Sequence, residues 1–90
     1  MKNNIYYFTA SWCGPCKSIY PEIETLNNKY TDVNFYKIDV DDQENDELCN
    51  KYNVSSIPYF LFFKDGINIG EVVGADIKSV EKIINESFIK

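Results

Sequence analysis

The chain has 90 residues, of which 44 % are hydrophobic, and its 14 acidic and nine basic residues give a formal net charge of −5. This length suffices for one small domain, which we expect to span residues 1–90. All nine basic residues are Lys, and the absence of any basic cluster argues against nucleic acid or an anionic membrane as partner. No apolar run approaches the roughly 20 residues that a membrane span needs.

The cysteines and the N-terminal segment predict a reducing compartment. Residues 1–4 are polar and lack the apolar core of a signal peptide. A third cysteine, Cys49, stands apart from the pair Cys13 and Cys16, and a free thiol is typical of a compartment where thiols stay reduced. We therefore expect a cytoplasmic monomer.

A buried strand followed by a helix opens the chain. Ile5 to Thr9 is apolar enough for a buried strand, and a helical pattern follows from about Gly14 to Tyr30, with a kink expected at Pro21. Positions spaced by three and four residues share one face of this helix. They are Cys16, Ile19, Tyr20, Ile23, Leu26, Asn27 and Tyr30.

The two cysteines lie where the strand gives way to the helix. Cys13 falls at the helix start, where unpaired backbone N–H groups and the helix dipole stabilise a thiolate. Pro15 in the first turn costs no helical hydrogen bond, and Gly14 allows a tight turn. Only two residues separate Cys13 from Cys16, so the second sulfur can reach the first. The pattern predicts a dithiol that is reversibly oxidised.

Two other uses of a cysteine pair fit this sequence less well. A static disulfide across two intervening residues removes little entropy from the unfolded chain, so it would stabilise the fold poorly. A zinc or iron–sulfur site needs about four ligands, and three cysteines with no histidine cannot supply them in a monomer. We expect neither a metal nor a bound cofactor.

A second strand and a second helix follow. The strand, Val33 to Val40, should pair in parallel with the first strand, because a helix connects the two. The acidic run from Asp39 to Glu47 is interpreted as the solvated entry to the next helix, which ends at Asn53. Cys49 lies on the apolar face of that helix. We expect it to be buried, with a regulatory or dimer-forming thiol as the alternative.

The last part of the sequence predicts a hairpin and a final helix. Ile57 to Phe63 and Ile67 to Val73 are rich in strand-forming residues, and the Asp65-Gly66 pair between them is typical of a hairpin turn. Asp76 is the predicted N-cap of a helix whose apolar face carries Ile77, Val80, Ile83, Ile84 and Phe88. The predicted order of elements is β-α-β-α-β-β-α.

The segment Trp12-Cys13-Gly14-Pro15-Cys16-Lys17 after an apolar strand resembles the active site of the thioredoxin family. The Gly-Pro pair separates it from glutaredoxins, which usually carry Pro-Tyr, and from protein disulfide isomerases, which carry Gly-His. The resemblance extends from Ile5 to about Ile89. It implies the minimal thioredoxin fold, an α/β fold whose four-stranded mixed sheet has the order 2-1-3-4 and is flanked by helices. Full thioredoxins begin with an extra strand and helix, for which this sequence has no room before Ile5.

The resemblance also implies roles for particular residues. Cys13 would attack a substrate disulfide and Cys16 would resolve the mixed disulfide. Pro58 would follow a cis peptide bond and pack against the cysteines, while Ile57 would offer its backbone to an extended substrate. Residues completing the substrate surface would be Trp12, Gly14, Pro15, Tyr59, Val73 and Gly74. Tyr59 replaces a threonine that is usual in the family, so we expect a bulkier, more aromatic groove.

The clearest departure from the family is Tyr7. Thioredoxins typically carry a buried aspartate six residues before the nucleophilic cysteine, where it assists deprotonation of the resolving cysteine. A phenol with a pKa near 10 is a poor base at neutral pH. Lys37 matches the lysine that accompanies this aspartate, although a solvated lysine on an edge strand explains it equally well.

The sequence thus predicts an enzyme that reduces disulfides of protein substrates and receives electrons from a thioredoxin-reductase-like partner. A glutaredoxin-like reductase linked to glutathione is the alternative within redox chemistry. A different class of alternative is a redox-inert binding module that uses the groove around Trp12 and Pro58.

Overall fold

The computed structural model describes residues 2–89. Within that range the chain forms four strands and three α-helices. Their bounds are β1 (Asn3–Thr9), α1 (Gly14–Lys29), β2 (Val33–Asp39), α2 (Asp46–Lys51), β3 (Tyr59–Lys64), β4 (Ile67–Val73) and α3 (Ile77–Ile83). A short 3₁₀ turn (Gln43–Asn45) precedes α2, and a π-helical turn (Ile84–Phe88) continues α3. None of the helices in residues 2–89 is long and apolar enough to cross a membrane.

The four strands form one mixed sheet in the order β2-β1-β3-β4. Strands β1 and β2 are parallel, and the other two neighbouring pairs are antiparallel. This is the minimal thioredoxin arrangement, so the predicted fold and strand order are confirmed. The parallel pair brings the carboxyl ends of β1 and β2 together at one edge of the sheet, beside the cysteines.

Helices cover both faces of the sheet. On one face, α1 contributes Ile19, Ile23 and Leu26 and the α3 segment contributes Val80, Ile84 and Phe88. On the other face, Phe8, Tyr59, Leu61 and Phe63 pack against half-buried side chains of α2 and its flanking loops. The central strand β3 is buried on both faces, which explains why its sequence is an uninterrupted aromatic and aliphatic run. Each fully buried side chain of this size stabilises the fold by about 1.5–3 kcal/mol.

Some element boundaries and faces differ from the prediction. Strand β3 begins at Tyr59 rather than Ile57, because Pro58 has no backbone N–H with which to join the ladder. Tyr20 was expected on the buried face of α1 but is exposed, since it lies at the edge of the contact with the sheet. Cys49 is half-buried, because α2 is a short helix that covers its face of the sheet only in part.

Candidate active site

The cysteine pair lies at the junction between β1 and α1. Cys13 is the N-cap of α1, with extended backbone angles of φ −86° and ψ 105°. Its sulfur accepts a hydrogen bond from the backbone N–H of Cys16 at 3.2 Å. The site therefore directs an otherwise unpaired helix N–H, and the positive end of the helix dipole, at the sulfur of Cys13. These interactions favour a thiolate at Cys13 over one at Cys16.

Cys13 and Cys16 form a disulfide, with their Cα atoms 5.3 Å apart. Cys13 is the more exposed of the two, but the difference is small: 4 % of its surface is exposed against 1 % for Cys16. Ala10 packs directly against the pair, and Val40 and Ile57 cover it from the loops. Both cysteines of the disulfide are therefore buried.

Gly14 and Pro15 are the first two residues of α1. Pro15 fits there because this position needs no backbone N–H. The φ of Gly14 is not positive, and no atom lies within 4 Å of where a Cβ would stand. A larger side chain at position 14 would extend into open space.

The loop before β3 lies beside the disulfide. The peptide bond between Ile57 and Pro58 is cis, and Pro58 is fully buried. The carbonyl of Pro58 accepts a hydrogen bond from the backbone N–H of Gly74 at 2.8 Å. Gly74 has a φ of +94°, a conformation that favours glycine. Ile57 thus packs against the cysteine pair, and the hydrogen bond between Pro58 and Gly74 joins this loop to the residue after β4.

The backbone of Ile57 is available to a ligand. Among residues 2–89 its N–H and C=O groups have no hydrogen-bond partner. A polypeptide that aligned with this segment could pair with both groups.

Trp12 is 66 % exposed and stands next to the disulfide. Its indole N–H donates a hydrogen bond to Oδ2 of Asp41 at 2.7 Å. The backbone N–H of Asp41 in turn donates to Oδ1 of Asp39 at 2.9 Å. Sequence reasoning treated both aspartates as part of a solvated acidic run. Asp39 is the last residue of β2 and Asp41 lies two residues further on, at the strand end that parallel pairing places beside the carboxyl end of β1. This position was the signal that could have placed them at the site.

A cavity of about 260 Å³ lies between Trp12 and the segment that leads to Ile57. Val40 and the free Cys49 also line it. Burial, with a smaller effect from Asp46, raises the pKa of the Cys49 thiol. Cys49 therefore keeps its proton at neutral pH more firmly than an exposed cysteine does.

Tyr7 lies directly behind the disulfide and is only 2 % exposed. Its hydroxyl is hydrogen-bonded to Oγ1 of Thr9 and to the carbonyl oxygen of Cys16, both at 3.2 Å. The ring stacks on Phe60 with centroids 5.1 Å apart. Burial raises the pKa of Tyr7, and the hydrogen bond with Thr9 offsets only part of this effect. The phenol is therefore neutral near pH 7.

A second cavity, of about 280 Å³, lies beside Tyr7 and Cys16. Lys37 and Asp39 of β2 line it, together with Thr9 and Tyr20. Lys37 is the register partner of Tyr7 across the sheet, and its Nζ lies 4.9 Å from the centroid of the Tyr20 ring. The structure thus places Tyr7, Lys37 and Cys16 around one cavity. Thr9 and Asp39 also line this cavity, and no role at the site was predicted from the sequence for either of them.

Tyr59 occupies a different environment from the one predicted. Its ring packs against Phe8 with centroids 5.7 Å apart, in the core on the α2 side of the sheet. Its hydroxyl donates to Oε1 of Glu71 at 3.0 Å. The ring therefore does not form an aromatic wall beside the cysteines, because residues of β3 alternate between faces and Tyr59 points towards α2. Val73, by contrast, is 57 % exposed at the end of β4.

Comparison with known proteins agrees with this geometry. The family model described as Thioredoxin matches residues 1–86. The chain belongs to the thioredoxin family. It is 41 % identical over 85 residues to "Thioredoxin O2, mitochondrial" of Arabidopsis thaliana, which covers 94 % of this chain and 54 % of that protein. It is 43 % identical over 79 residues to thioredoxin of Homo sapiens, covering 88 % of this chain and 73 % of the human protein.

Solved thioredoxin structures share the fold. Oxidised mitochondrial thioredoxin 3 of Saccharomyces cerevisiae superposes with a TM-score of 0.88 at 38 % identity, over 94 % of this chain and 78 % of the yeast chain. Oxidised thioredoxin O2 of Arabidopsis thaliana gives a TM-score of 0.88 at 40 % identity, over 97 % of this chain and 76 % of that chain. The chain spans about half the length of the two Arabidopsis mitochondrial thioredoxins that it matches.

These relatives correct the expected location. The cytoplasmic assignment is contradicted, because the similar proteins include thioredoxins O1 and O2 of Arabidopsis and thioredoxin 3 of yeast, all named as mitochondrial. Cysteine content indicated only a compartment where thiols stay reduced, and such a compartment need not be the cytosol.

Proposed function

We propose that this member of the thioredoxin family is a thiol–disulfide oxidoreductase that reduces disulfides of protein substrates through Cys13 and Cys16. The observation that carries the proposal is the placement of Cys13 as the N-cap of α1, where its sulfur accepts the N–H of Cys16. That placement supports Cys13 as the attacking thiolate. Cys16, more deeply buried and three residues further on, is the resolving thiol.

The reaction follows from this geometry in two exchanges. The Cys13 thiolate attacks one sulfur of the substrate disulfide, which breaks that bond, forms a Cys13–substrate disulfide and releases the other substrate sulfur as a thiolate. Cys16 then loses its proton and attacks the sulfur of Cys13. This second exchange forms the Cys13–Cys16 disulfide and releases the second substrate thiolate. Two electrons pass to the substrate, and solvent protonates both leaving thiolates.

The surrounding surface supports binding of an extended substrate segment. The free N–H and C=O groups of Ile57 can pair with the backbone next to the substrate cysteine. Trp12 and Val73 are exposed apolar side chains that can contact the same segment. A thioredoxin-reductase-like enzyme would return the Cys13–Cys16 disulfide to the dithiol. We infer a mitochondrial setting from the names of the similar proteins.

The test is reduction of a disulfide-bonded model protein such as insulin by the chain and its Cys13→Ser and Cys16→Ser variants. We expect activity in the parent, none with Cys13→Ser, and accumulation of a Cys13 mixed disulfide with Cys16→Ser. Equal turnover with Cys13→Ser would refute the proposal. Comparing a flavin-dependent thioredoxin reductase with glutathione as electron donor tests the glutaredoxin-like alternative, which requires the glutathione-driven reaction to be faster.

The binding-module alternative has its own test. If the Cys13→Ser/Cys16→Ser double variant restores biological activity in cells that lack the protein, redox chemistry is not the function. We expect the double variant to fail.

A further inference from the structure

A small polar pocket of about 130 Å³ lies on the far side of the loop that carries Ile57. We call it the Glu71 pocket. It is lined by Asn53, Ser55, Ser56, Tyr59, Glu71 and Val73. Four of these residues are both polar and exposed: Asn53, Ser55, Ser56 and Glu71. The pocket is therefore open to solvent.

In the described part of the chain, the carboxylate of Glu71 is the one charged group that lines this pocket. The Tyr59 hydroxyl holds its Oε1 at 3.0 Å. Glu71 and Tyr59 are diagonal neighbours on one face of the β3–β4 ladder, and the buried Tyr59 ring anchors the hydrogen bond. Among residues 2–89 no Lys forms an ion pair with Glu71. The carboxylate is therefore positioned by a neutral hydrogen-bond donor, and its negative charge can pair with a cationic group of a ligand.

The pocket lies next to the path of an extended substrate. Val73, one of its walls, pairs with Tyr59 in the sheet, and the following Gly74 is bonded to Pro58. Ser56 precedes Ile57, which packs against the cysteine pair. Ser56 and Val73 thus connect the pocket to the segment that lies beside the cysteines and to the strand end bonded to it. An extended chain advances about 3.5 Å per residue, so we assign the pocket to a side chain two or three residues from a cysteine held at Cys13.

We propose that the Glu71 pocket binds a Lys or Arg side chain of the substrate, two or three residues from the cysteine that Cys13 attacks. This inference rests on the proposed function and names its substrate class: disulfides flanked by a basic residue. A long basic side chain can lay its aliphatic stem against Val73 and place its charge at Glu71, with Ser and Asn oxygens as further acceptors. The net charge of −5 acts in the same direction on encounter.

The experiment uses three disulfide-linked model peptides that differ at one position, two residues from the cysteine, which carries Lys, Gln or Glu. A second set varies the position three residues away. Stopped-flow fluorescence of Trp12 gives the second-order rate constant for oxidation of the reduced full chain by each peptide. We expect the rate to fall from Lys to Gln to Glu at one of the two positions, by about 3-fold per step at low salt, and less at 0.5 M salt.

The variant is Glu71→Gln, which retains an oxygen to accept from Tyr59 but removes the charge. We expect the rates for the three peptides to converge. The matched control is Glu86→Gln, which makes the same change in net charge in the π-helical turn after α3 and should leave the preference for Lys unchanged.

Three results would overturn the inference: equal rates for the three peptides with the parent chain, a Lys preference that survives in Glu71→Gln, or an equal loss of preference in Glu86→Gln. A Lys preference that survives in Glu71→Gln, or that is lost equally in Glu86→Gln, would show that the preference arises from the electrostatic field of the whole protein and not from the Glu71 pocket. Failure to react with any of the peptides would instead contradict the proposed function, so the two failures are distinguishable.

Discussion

The hydroxyl of Tyr7 lies 3.2 Å from the backbone carbonyl oxygen of Cys16, the cysteine to which we assign the resolving role. This contact ties β1 to the first turn of α1. Because burial raises the pKa of Tyr7, the phenol remains protonated near neutral pH and cannot take the proton of Cys16. In this chain a hydrogen-bonded phenol stands at the position where thioredoxins carry an aspartate, and the carboxylate that lines the same cavity belongs to Asp39 of β2.

We therefore predict that attack by Cys13 is fast and resolution by Cys16 is slow. Tyr7→Asp should speed resolution, since a carboxyl group there can accept the Cys16 proton, at a cost of about 3 kcal/mol in the free energy of unfolding for burying it. Tyr7→Phe should change the resolution rate little, while losing about 1 kcal/mol of stability with its hydrogen bonds. The measurement is single-turnover decay of the Cys13 mixed disulfide between pH 6 and 9.

The Tyr7→Phe chain is the control for disturbing the packing on Phe60. Equal decay in the parent and in Tyr7→Asp would contradict the prediction. A large loss of rate in Tyr7→Phe would show that the phenol itself takes part in the proton transfer.

The raised pKa of Tyr7 predicts a loss of stability in alkali. The folded protein retains a proton that the unfolded chain releases near the ordinary pKa of 10.0. This contribution to stability is complete below pH 10 and is lost as pH rises through the pKa of the folded state. Urea denaturation of the oxidised protein between pH 8 and 11 should show that Tyr7→Phe reduces the slope of this loss.

The alkaline experiment needs a Cys49→Ser background. The pKa of Cys49 is also raised, so this thiol contributes a similar dependence at slightly lower pH. The pKa of Tyr59 is also raised, by burial and by Glu71. The stability of Tyr7→Phe should therefore still fall with rising pH, but less steeply than that of the parent. An unchanged slope in Tyr7→Phe would argue that Tyr7 is not buried in solution.

The cysteines should differ in reactivity once the disulfide is reduced. Alkylation near pH 6.5 should label Cys13 first, because the helix N-terminus favours its thiolate. Cys49 should react slowly, since its pKa is raised. Peptide mapping after timed quenching measures the order. First labelling of Cys16 or Cys49 would reverse the proposed roles.

The hydrogen bond from Trp12 to Asp41 should fix the exposed indole beside the disulfide. Asp41→Ala removes the acceptor, so we expect the ring to become more mobile and the rate of substrate reduction to fall a few-fold. Asp41→Asn keeps a hydrogen-bond acceptor, so its indole mobility and its rate of substrate reduction should lie between those of the parent and of Asp41→Ala. Trp12 is the single Trp of the chain, so time-resolved fluorescence anisotropy of the reduced protein reports on this ring alone.

Asp32→Ala is the matched control for Asp41→Ala. It also removes one exposed carboxylate, but Asp32 precedes β2 at the end of the sheet opposite to Trp12, so the anisotropy of Trp12 should not change. Anisotropy decay that is the same in Asp41→Ala and the parent would show that the hydrogen bond does not restrain the indole.

Local features of the sequence determined the strands, the helices and the cysteine pair, whereas the order of the strands in the sheet was implied by the resemblance to thioredoxins. Periodicity of two and of 3.6 residues identified the strands and helices, and Asp65-Gly66 marked the hairpin, because both signals arise between residues close in the chain. The position of Cys13 at the start of α1 is local in the same way. Each of these features is set by steric and hydrogen-bonding rules that act over a few residues.

Only the tertiary structure decided which distant residues meet at the site. Asp41 bonds to Trp12 across 29 residues of sequence, and Tyr59 turns from the cysteines towards Glu71. These contacts depend on strand register and on the face each side chain takes, and a shift of one residue would reverse them. The half-burial of Cys49 likewise depends on how far α2 covers the sheet. Such properties arise from packing between elements, which no short segment of the sequence encodes by itself.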